Sequence, residues 1–402
     1  MTESGTPPTA AVEVSMPTRP APWNDPRYRA IFFQILVLGG VILCGFFLVN
    51  NTLANLEKQG IASGFGFLGS TAGFSIALPW FGYTEESSYG LAYIVSIVNT
   101  LIVSVFGILF ATILGFIIGV ARLSNNWLIS QLAAIYIETL RNIPLLLQMF
   151  FWYFAVLRNL PTVRNSASLL DSVFLNIKGL FVPSPIFGPG FWLIPTALIV
   201  AVIAIVFLAR WAAKRRDDTG QQFPTMRVAL GVFIGVPLIA AIITGFPLTW
   251  DYPVLKGFNF WGGAEVIPEF VALTFALATY TAAFIAEIVR AGIMAVSHGQ
   301  TEASYALGFR SLPTLRLVII PQALRVIIPP LTSQYLNLTK NSSLAAAIAF
   351  PEIMLVFGGT TLMQTGQAVE IIAMTMAVYL TISLVISAFM NWYNDKMALV
   401  ER

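Results

Sequence analysis

Apolar residues gather in eight stretches along this chain, at about 31–49, 94–121, 142–158, 192–212, 228–245, 267–290, 323–345 and 369–391. Polar connectors separate them near 50–92, 122–140, 159–190, 213–227, 246–266, 291–322 and 346–368. A helix needs roughly 20 mostly apolar residues to cross a bilayer. The pattern therefore predicts an all-α integral membrane protein with about eight transmembrane helices. Residues 1–30 are rich in Pro, Thr and Ala, including Pro7, Pro8, Pro17, Pro20, Pro22 and Pro26. That composition cannot build a core and predicts a disordered tail. The first apolar stretch could be a signal peptide. A long preceding region with Glu3, Glu13 and Asp25 favours an uncleaved anchor.

Composition sharpens this picture. Of 402 residues, 57% are hydrophobic and 10% charged, and mean hydropathy is +0.79. A soluble domain carries about 25% charged residues, so this chain cannot cover a water-facing surface. Cys44 and His298 are the single cysteine and histidine. Disulfide frameworks and His- or Cys-rich metal sites are thereby excluded. Lys and Arg accumulate on the cytoplasmic side of membrane proteins. With the N-terminus inside, cytoplasmic segments hold 16 of the 22 Lys and Arg residues and outward segments hold 5, leaving Lys340 within a span. Both termini are expected to be cytoplasmic. The outward loops 50–92 and 159–190 are rich in Gly, Ser, Pro and aromatics, suited to a membrane surface or a partner.

The most informative connector runs Gly299-Gln300-Thr301-Glu302-Ala303-Ser304-Tyr305-Ala306-Leu307-Gly308-Phe309-Arg310 and on to Val318-Ile319-Ile320-Pro321. Ser297 or Thr301 can cap a short helix with Glu302 near its positive end. Ala303, Ser304 and Ala306 keep its surface slim, so another protein's backbone can approach. Gly308 suits the left-handed residue just past a helix end. Ser311 and Pro313 open a second segment, and Pro321 is expected to interrupt the next helix. A rigid knob of this kind suits docking and force transfer better than catalysis.

Glu302, Ala303, Ser304 and Gly308, followed by Val318, Ile320 and Pro321, resemble the signature loop of ABC importer permeases. That signature is Glu-Ala-Ala, three residues, Gly, nine residues, then Ile-x-Leu-Pro. Here Ser304 replaces the second Ala, and two aliphatic positions are conservatively changed. The segment Arg141-Asn142-Ile143-Pro144-Leu145-Leu146-Leu147-Gln148 is similar to the Arg-x-x-Pro-Leu-Leu-x-Gln stretch of polar amino acid permeases. Tyr280–Arg290 resembles the helix leading into their loop. Leu338-Thr339-Lys340-Asn341-Ser342-Ser343-Leu344 resembles their Leu-Lys-Asp-Thr-Ser-Leu stretch, with Asn341 in place of Asp. The matches cover about 95–392 and look most like the general L-amino acid subset.

The resemblance implies an ABC importer type I permease core at 95–392, with a two-helix elaboration around 190–246. It would be preceded by an anchor helix and periplasmic loop at 31–94 and followed by a cytoplasmic tail at 393–402. It implies a polar amino acid importer of the bacterial inner membrane whose coupling residues are Gly299, Glu302, Ala303, Ser304, Ala306, Gly308 and Pro321. It further implies a cytoplasmic ABC ATPase dimer, a second permease subunit and a periplasmic amino acid binding protein as partners. Membrane lipids surround the chain, and nucleic acid is not expected.

Polar groups deep in spans give a candidate translocation pathway: Arg141, Pro144, Gln148, Tyr280, Glu287, Thr339, Lys340, Asn341 and Ser342. An intramembrane ionisable residue is costly and marks a functional hypothesis. Lys340 can attract a carboxylate in a cavity; alternatively it pairs with Glu352 or Glu370, or snorkels to the interface. Arg141 and Gln148 lie seven residues apart, two turns along one helix face. Arg141 also suits an interfacial anchor, and Glu287 a local pair with Arg290. Pro329-Pro330 is expected to break the seventh helix. No G-x-x-x-x-G-K-[ST] pattern exists, and none of the six lysines follows a glycine. The chain is therefore expected to bind no cofactor and to leave ATP to partner subunits. An ion-coupled secondary transporter, and a channel or scaffold, are the competing readings.

Overall fold

The computed structural model describes residues 26–58 and 63–397. The expected tails at 1–30 and 393–402 lie mostly outside the described residues. Residues 26–30 already belong to the first helix, and 393–397 to the last.

The elements in order are α1 Pro26–Lys58, α2 Tyr89–Arg122, α3 Trp127–Asn142 and α4 Leu145–Phe150. Short strands β1 Ala167–Leu169, β2 Val173–Asn176, β3 Gly179–Val182 and β4 Ser184–Phe187 come next. Then follow α5 Leu193–Thr219, α6 Thr225–Ile243, and strands β5 Leu248–Asp251, β6 Val254–Lys256, β7 Asn259–Trp261 and β8 Ala264–Val266. The chain ends with α7 Pro268–Met294, α8 His298–Ala306, α9 Ser311–Thr314, α10 Ile320–Asn341, α11 Leu362–Thr365 and α12 Ala368–Met397. Among the described residues, seven helices are long and apolar enough to cross a membrane. They become eight if the bent pair 127–142 and 145–159 forms one span.

Two units are distinguished. The smaller holds α1 and Thr365–Glu370, and the larger holds the rest. Within the smaller unit α1 exposes nearly its whole surface, as a lipid-facing helix does. The core of the larger unit is formed by α2, α4, α7 and α10, with Met149, Leu273, Leu277, Ile285, Ile327, Ile328 and Leu338 fully buried. Lipid tails offer no hydrophobic drive between helices, so close approach of small residues matters. A Cβ at Gly115 would lie 2.6 Å from Ile285 Cβ, and one at Gly119 would lie 2.7 Å from the Ala286 carbonyl. Gly292 faces Ile327 in the same way at 2.3 Å. These contacts set α2 and α10 against α7.

Three expectations need correction. The connector at 122–140 is largely α3, capped by Asn126, whose Oδ1 accepts from the Leu128 and Ile129 N–H groups at 3.0 and 3.3 Å. Its amphipathic face, with buried Ala133 and Ile137, conceals the helix from a purely apolar count. Pro329-Pro330 does not break α10, which continues through both. Both rings lie on the exposed face, opposite buried Ile327 and Ile328, so the lost helix bonds disturb no packed contact. Pro321 likewise interrupts nothing. It sits in the first turn of α10, where its missing N–H is tolerated, after a π turn at Leu315–Ile319.

The expected elaboration at 190–246 is the α5–α6 hairpin, but it rides on strands that the apolar pattern did not announce. β4 pairs antiparallel with β5, from Ser184↔Asp251 to Phe187↔Leu248, so one ribbon leads into and out of the hairpin. A four-stranded sheet, β1-β2-β3-β8, and a β6-β7 pair complete the insertion around Phe181, Phe260 and Val163.

Candidate functional site

A polar stripe occurs on α10. Ser333, Gln334, Asn337, Lys340 and Asn341 recur at the three- and four-residue spacing of one helix face, and none is buried. The opposite face buries Ile327, Ile328, Leu331 and Leu338. Gln334, Asn337 and Asn341 join Tyr280, Thr281 and Phe284 of α7 around a cavity of about 260 Å³. Exposed amides on a membrane-crossing helix are costly against lipid, so such a face belongs beside protein or water.

The candidate pathway residues separate under this geometry. Tyr280 and Asn341 line the cavity directly. Arg141 stays close by stacking its guanidinium on the Phe284 ring, 5.1 Å from the centroid. Lys340 is exposed on the same stripe and makes no ion pair among the described residues. The alternative pair with Glu352 is absent because backbone N–H groups and Tyr379 occupy that carboxylate. Thr339 and Ser342 are buried and return their hydroxyls to the Tyr335 and Thr339 carbonyls at 3.0 and 2.7 Å. Glu287 is engaged by Arg290 through two contacts, Nε at 3.0 Å and Nη2 at 2.5 Å. Gln334 and Asn337 were not singled out from the sequence. Their signal was present as polar residues spaced by three and four along an apolar helix.

Arg141 and Gln148 do not share one helix face. The chain bends by 105° between α3 and α4, at Ile143-Pro144. Ile143 is extended, at φ −96° and ψ 127°, as a residue before proline prefers. Gln148 is buried and holds this bend: its Nε2 donates to the Leu140 and Ile143 carbonyls, both at 2.9 Å. Those are carbonyls that the end of α3 leaves without helical partners. Tyr136 pins α3 to α7 by donating to the Thr279 carbonyl at 2.7 Å.

At one end of α7 and α10 stands the knob. α8 ends at Ala306 with Leu307 as its C-cap, and Gly308 adopts φ 80°, with its N–H donating to the Tyr305 carbonyl at 2.9 Å. Phe309 N–H reaches the Ser304 carbonyl at 3.1 Å. Ser297 occupies the N-cap position, but its side chain makes no cap bond. Glu302 instead meets His298 Nδ1 at 3.1 Å on the exposed surface. Ser304 turns inward and is buried, its hydroxyl donating to the Gln300 carbonyl, so its small size serves packing within this chain. Gly299, Ala303 and Ala306 face outward. Gln322 ties α10 to α8 through Gln300 at 3.1 Å. Tyr305, Leu307 and Leu312 are exposed around the knob, an apolar rim on a short helix.

A buried polar network anchors the segment after α10. Asn99 Nδ2 donates to the Pro351 carbonyl at 2.9 Å, and Trp80 Nε1 donates to Asn99 Oδ1 at 2.7 Å. The Ile353 N–H donates to Thr100 Oγ1 at 3.1 Å. Glu352 accepts from the Met354 and Leu355 N–H groups at 2.8 and 2.9 Å. Desolvation by burial pushes its carboxyl up to about 7, against the lowering effect of these hydrogen bonds.

The membrane spans, the polar face between α7 and α10, and the tethered knob define a multi-span permease. A family model for the binding-protein-dependent transport system inner membrane component matches residues 219–399. The General L-amino acid transport system permease protein AapQ of Rhizobium johnstonii is 53% identical over 380 residues, covering 94% of this chain and 94% of that protein. The Putative amino-acid ABC transporter permease protein YhdX of Escherichia coli is 54% identical, covering 94% and 96%. The Glutamate/glutamine/aspartate/asparagine transport system permease protein BztB of Rhodobacter capsulatus is 40% identical over 94% and 96%. The chain belongs to the family of ABC importer permeases, as a multi-pass inner membrane component. That membership brings an ATPase and a binding protein as partners.

Proposed function

We propose that this permease carries polar L-amino acids along the α7–α10 face and takes its driving force from a separate ATPase through residues 299–321. The observation that carries the reading is the stripe Ser333, Gln334, Asn337, Lys340 and Asn341 beside the cavity of about 260 Å³. Amides and hydroxyls exchange hydrogen bonds with a zwitterionic solute, while Lys340 offers a cation to its carboxylate. The relatives' names, which specify amino acids, support this cargo. The knob's exposed Tyr305, Leu307 and Leu312 suit a protein groove, and Gln300–Gln322 links its motion to α10. Closure of an ATPase pair around the knob would shift the helices between outward- and inward-open states through different contacts in each. The chain itself binds no cofactor in this reading, and ATP is hydrolysed on the partner.

A second permease chain completes the path in this proposal, because the α10 stripe is open on its far side. The excess of Lys and Arg in alternate connectors supports cytoplasmic termini, with the knob on the same side.

The test is ATP-driven uptake of radiolabelled glutamate, glutamine and arginine into vesicles holding the complete transporter. Asn337→Leu should cut uptake at least tenfold while ATPase association persists. Wild-type uptake by Asn337→Leu and Gln334→Leu would remove the stripe from the pathway. Accumulation driven by an ion gradient without ATPase would refute the coupling.

A further inference from the structure

The segment 210–227 carries the chain's whole net charge of +3: Arg210, Lys214, Arg215, Arg216 and Arg227 against Asp217 and Asp218. It contains the turn from α5 to α6, far in sequence from the knob and the polar stripe. α5 ends at Gly220, whose φ of 71° lets its N–H close on the Arg216 carbonyl at 2.9 Å. The chain then returns within four residues to Thr225, the first residue of α6.

This turn encloses a cleft of about 350 Å³. One wall is a single helical face of α5: Ala209, Ala212, Ala213 and Arg216, spaced as i, i+3, i+4 and i+7. Three alanines leave the space, and the guanidinium heads it. Gln222, Phe223 and Thr225 form the other wall. Arg216 Nε lies 3.6 Å from Asp217 in an exposed pair, a weak engagement that leaves both Nη groups available. The Thr225 hydroxyl already donates to the Phe223 carbonyl at 3.2 Å, so it offers a ligand only an acceptor. The donors toward a ligand are therefore Arg216 and the Gln222 amide.

The surroundings select the source of the anion. Trp211 meets Phe223 edge-on at 5.2 Å, and Arg215 stacks on Trp211 at 5.3 Å while donating to Gln221. Tryptophan beside arginine is the signature of a membrane–water boundary. Beyond the cleft, α6 buries no residue and α5 buries only Ala201 and Ala212. Val202 and Val206, seven and three residues before Ala209 on the same helix face, are exposed along α5 and extend the cleft with apolar surface. A soluble oxyanion would use the guanidinium and leave that surface idle. A lipid uses both.

We propose that the α5–α6 turn is a binding site for an anionic phospholipid, its phosphodiester held by Arg216 and Gln222 and its acyl chains laid along α5. Arg210, Lys214 and Arg227 supply the field that favours an anionic over a zwitterionic headgroup. The site rests on membership of an inner membrane family and on neither the cargo nor the direction of transport. Its occupant would stiffen a hairpin that the protein core does not cover.

Native mass spectrometry of the purified full-length transporter in mild detergent tests this. It is titrated with phosphatidylglycerol, with phosphatidylcholine of the same acyl chains, and with inorganic phosphate. Wild type should bind phosphatidylglycerol at least tenfold more tightly than phosphatidylcholine, with millimolar phosphate unable to displace it. Arg216→Gln should lose that preference, and Arg216→Lys should keep part of it. Ala213→Leu, which narrows the cleft and leaves every charge in place, should weaken binding at least fivefold. Wild-type affinity in both Arg216→Gln and Ala213→Leu overturns the site. Equal binding of the two lipids overturns the headgroup preference, and displacement by phosphate overturns the lipid assignment in favour of a soluble oxyanion.

Discussion

Tyr379 donates its hydroxyl to Glu352 at 2.7 Å, joining α12 to the buried carboxylate that caps the turn at Met354 and Leu355. The contact spans 27 residues and lies within the larger unit, where it fixes the segment following α10. A hydrogen bond to a charged or partly charged group contributes about 1.5–3 kcal/mol. Tyr379→Phe should therefore lower the melting temperature of the purified protein by several degrees, at near-unchanged volume. An unchanged melting curve would show that the bond adds nothing to stability.

The same carboxylate predicts a pH dependence. Burial raises Glu352 from 4.5 to about 7 in the folded protein. The folded state thus holds the proton more firmly than the unfolded chain, and its stabilisation is complete below about pH 4.5 and lost as pH rises through 7. Melting temperature followed from pH 5 to 8 should fall more steeply for wild type than for Glu352→Gln. Parallel slopes would assign the pH response to other groups.

Gln148 bridges a break in the backbone, so its loss should be felt at the bend. Gln148→Leu leaves the part-buried Leu140 and Ile143 carbonyls without these donors, at about 0.5–1.5 kcal/mol for each hydrogen bond lost. Thermal unfolding should register that loss. Protease cleavage near Ile143 should also accelerate, and an unchanged digestion pattern would argue that Pro144 alone maintains the bend.

Gly115 and Ile285 share one space. An alanine at 115 places its Cβ 2.6 Å from Ile285 Cβ, an overlap that cores resist at about 1–3 kcal/mol. Gly115→Ala should reduce the yield of folded protein, and adding Ile285→Ala should restore part of it. A double variant no better than the single would place the strain on the nearby Ala282 carbonyl instead.

A side chain at Gly308 would meet nothing within 4 Å of its Cβ, so the requirement for glycine is conformational. At φ 80° a β-branched residue is strained by about 1–3 kcal/mol. Gly308→Val should fray the end of α8 and uncouple uptake from ATP hydrolysis, while Gly308→Asn should be milder. Equal coupling in all three proteins, measured as substrate moved per ATP, would remove this turn from force transfer.

Helices that face lipid declared themselves in the sequence, because the bilayer demands a long apolar run and the chain supplied one for nearly every span. One end of the knob was legible too: Gly308 was read as left-handed from its place after Tyr305-Ala306-Leu307, and the backbone adopts that state, whereas neither Ser297 nor Thr301 supplies the expected side-chain cap at the other end. The amphipathic helix α3 escaped an apolar count because Ser130, Gln131, Glu138, Thr139 and Arg141 interrupt its apolar run. The strands at 167–187 and 248–266 escaped because runs of three or four residues give too little alternation to register.

By itself the sequence determined the membrane class, most of the spans and the knob, since each depends on local composition or on spacing within one helix. Tertiary structure alone decided that Arg141 and Gln148 part company at a 105° bend, that Gln148 serves that bend, and that Glu352 is taken by Tyr379 and not by Lys340. It also brought Tyr280 of α7 beside Gln334 and Asn341 of α10. These are relations between residues distant along the chain, and glycines such as Gly115 and Gly292 set how closely the helices carrying them can approach.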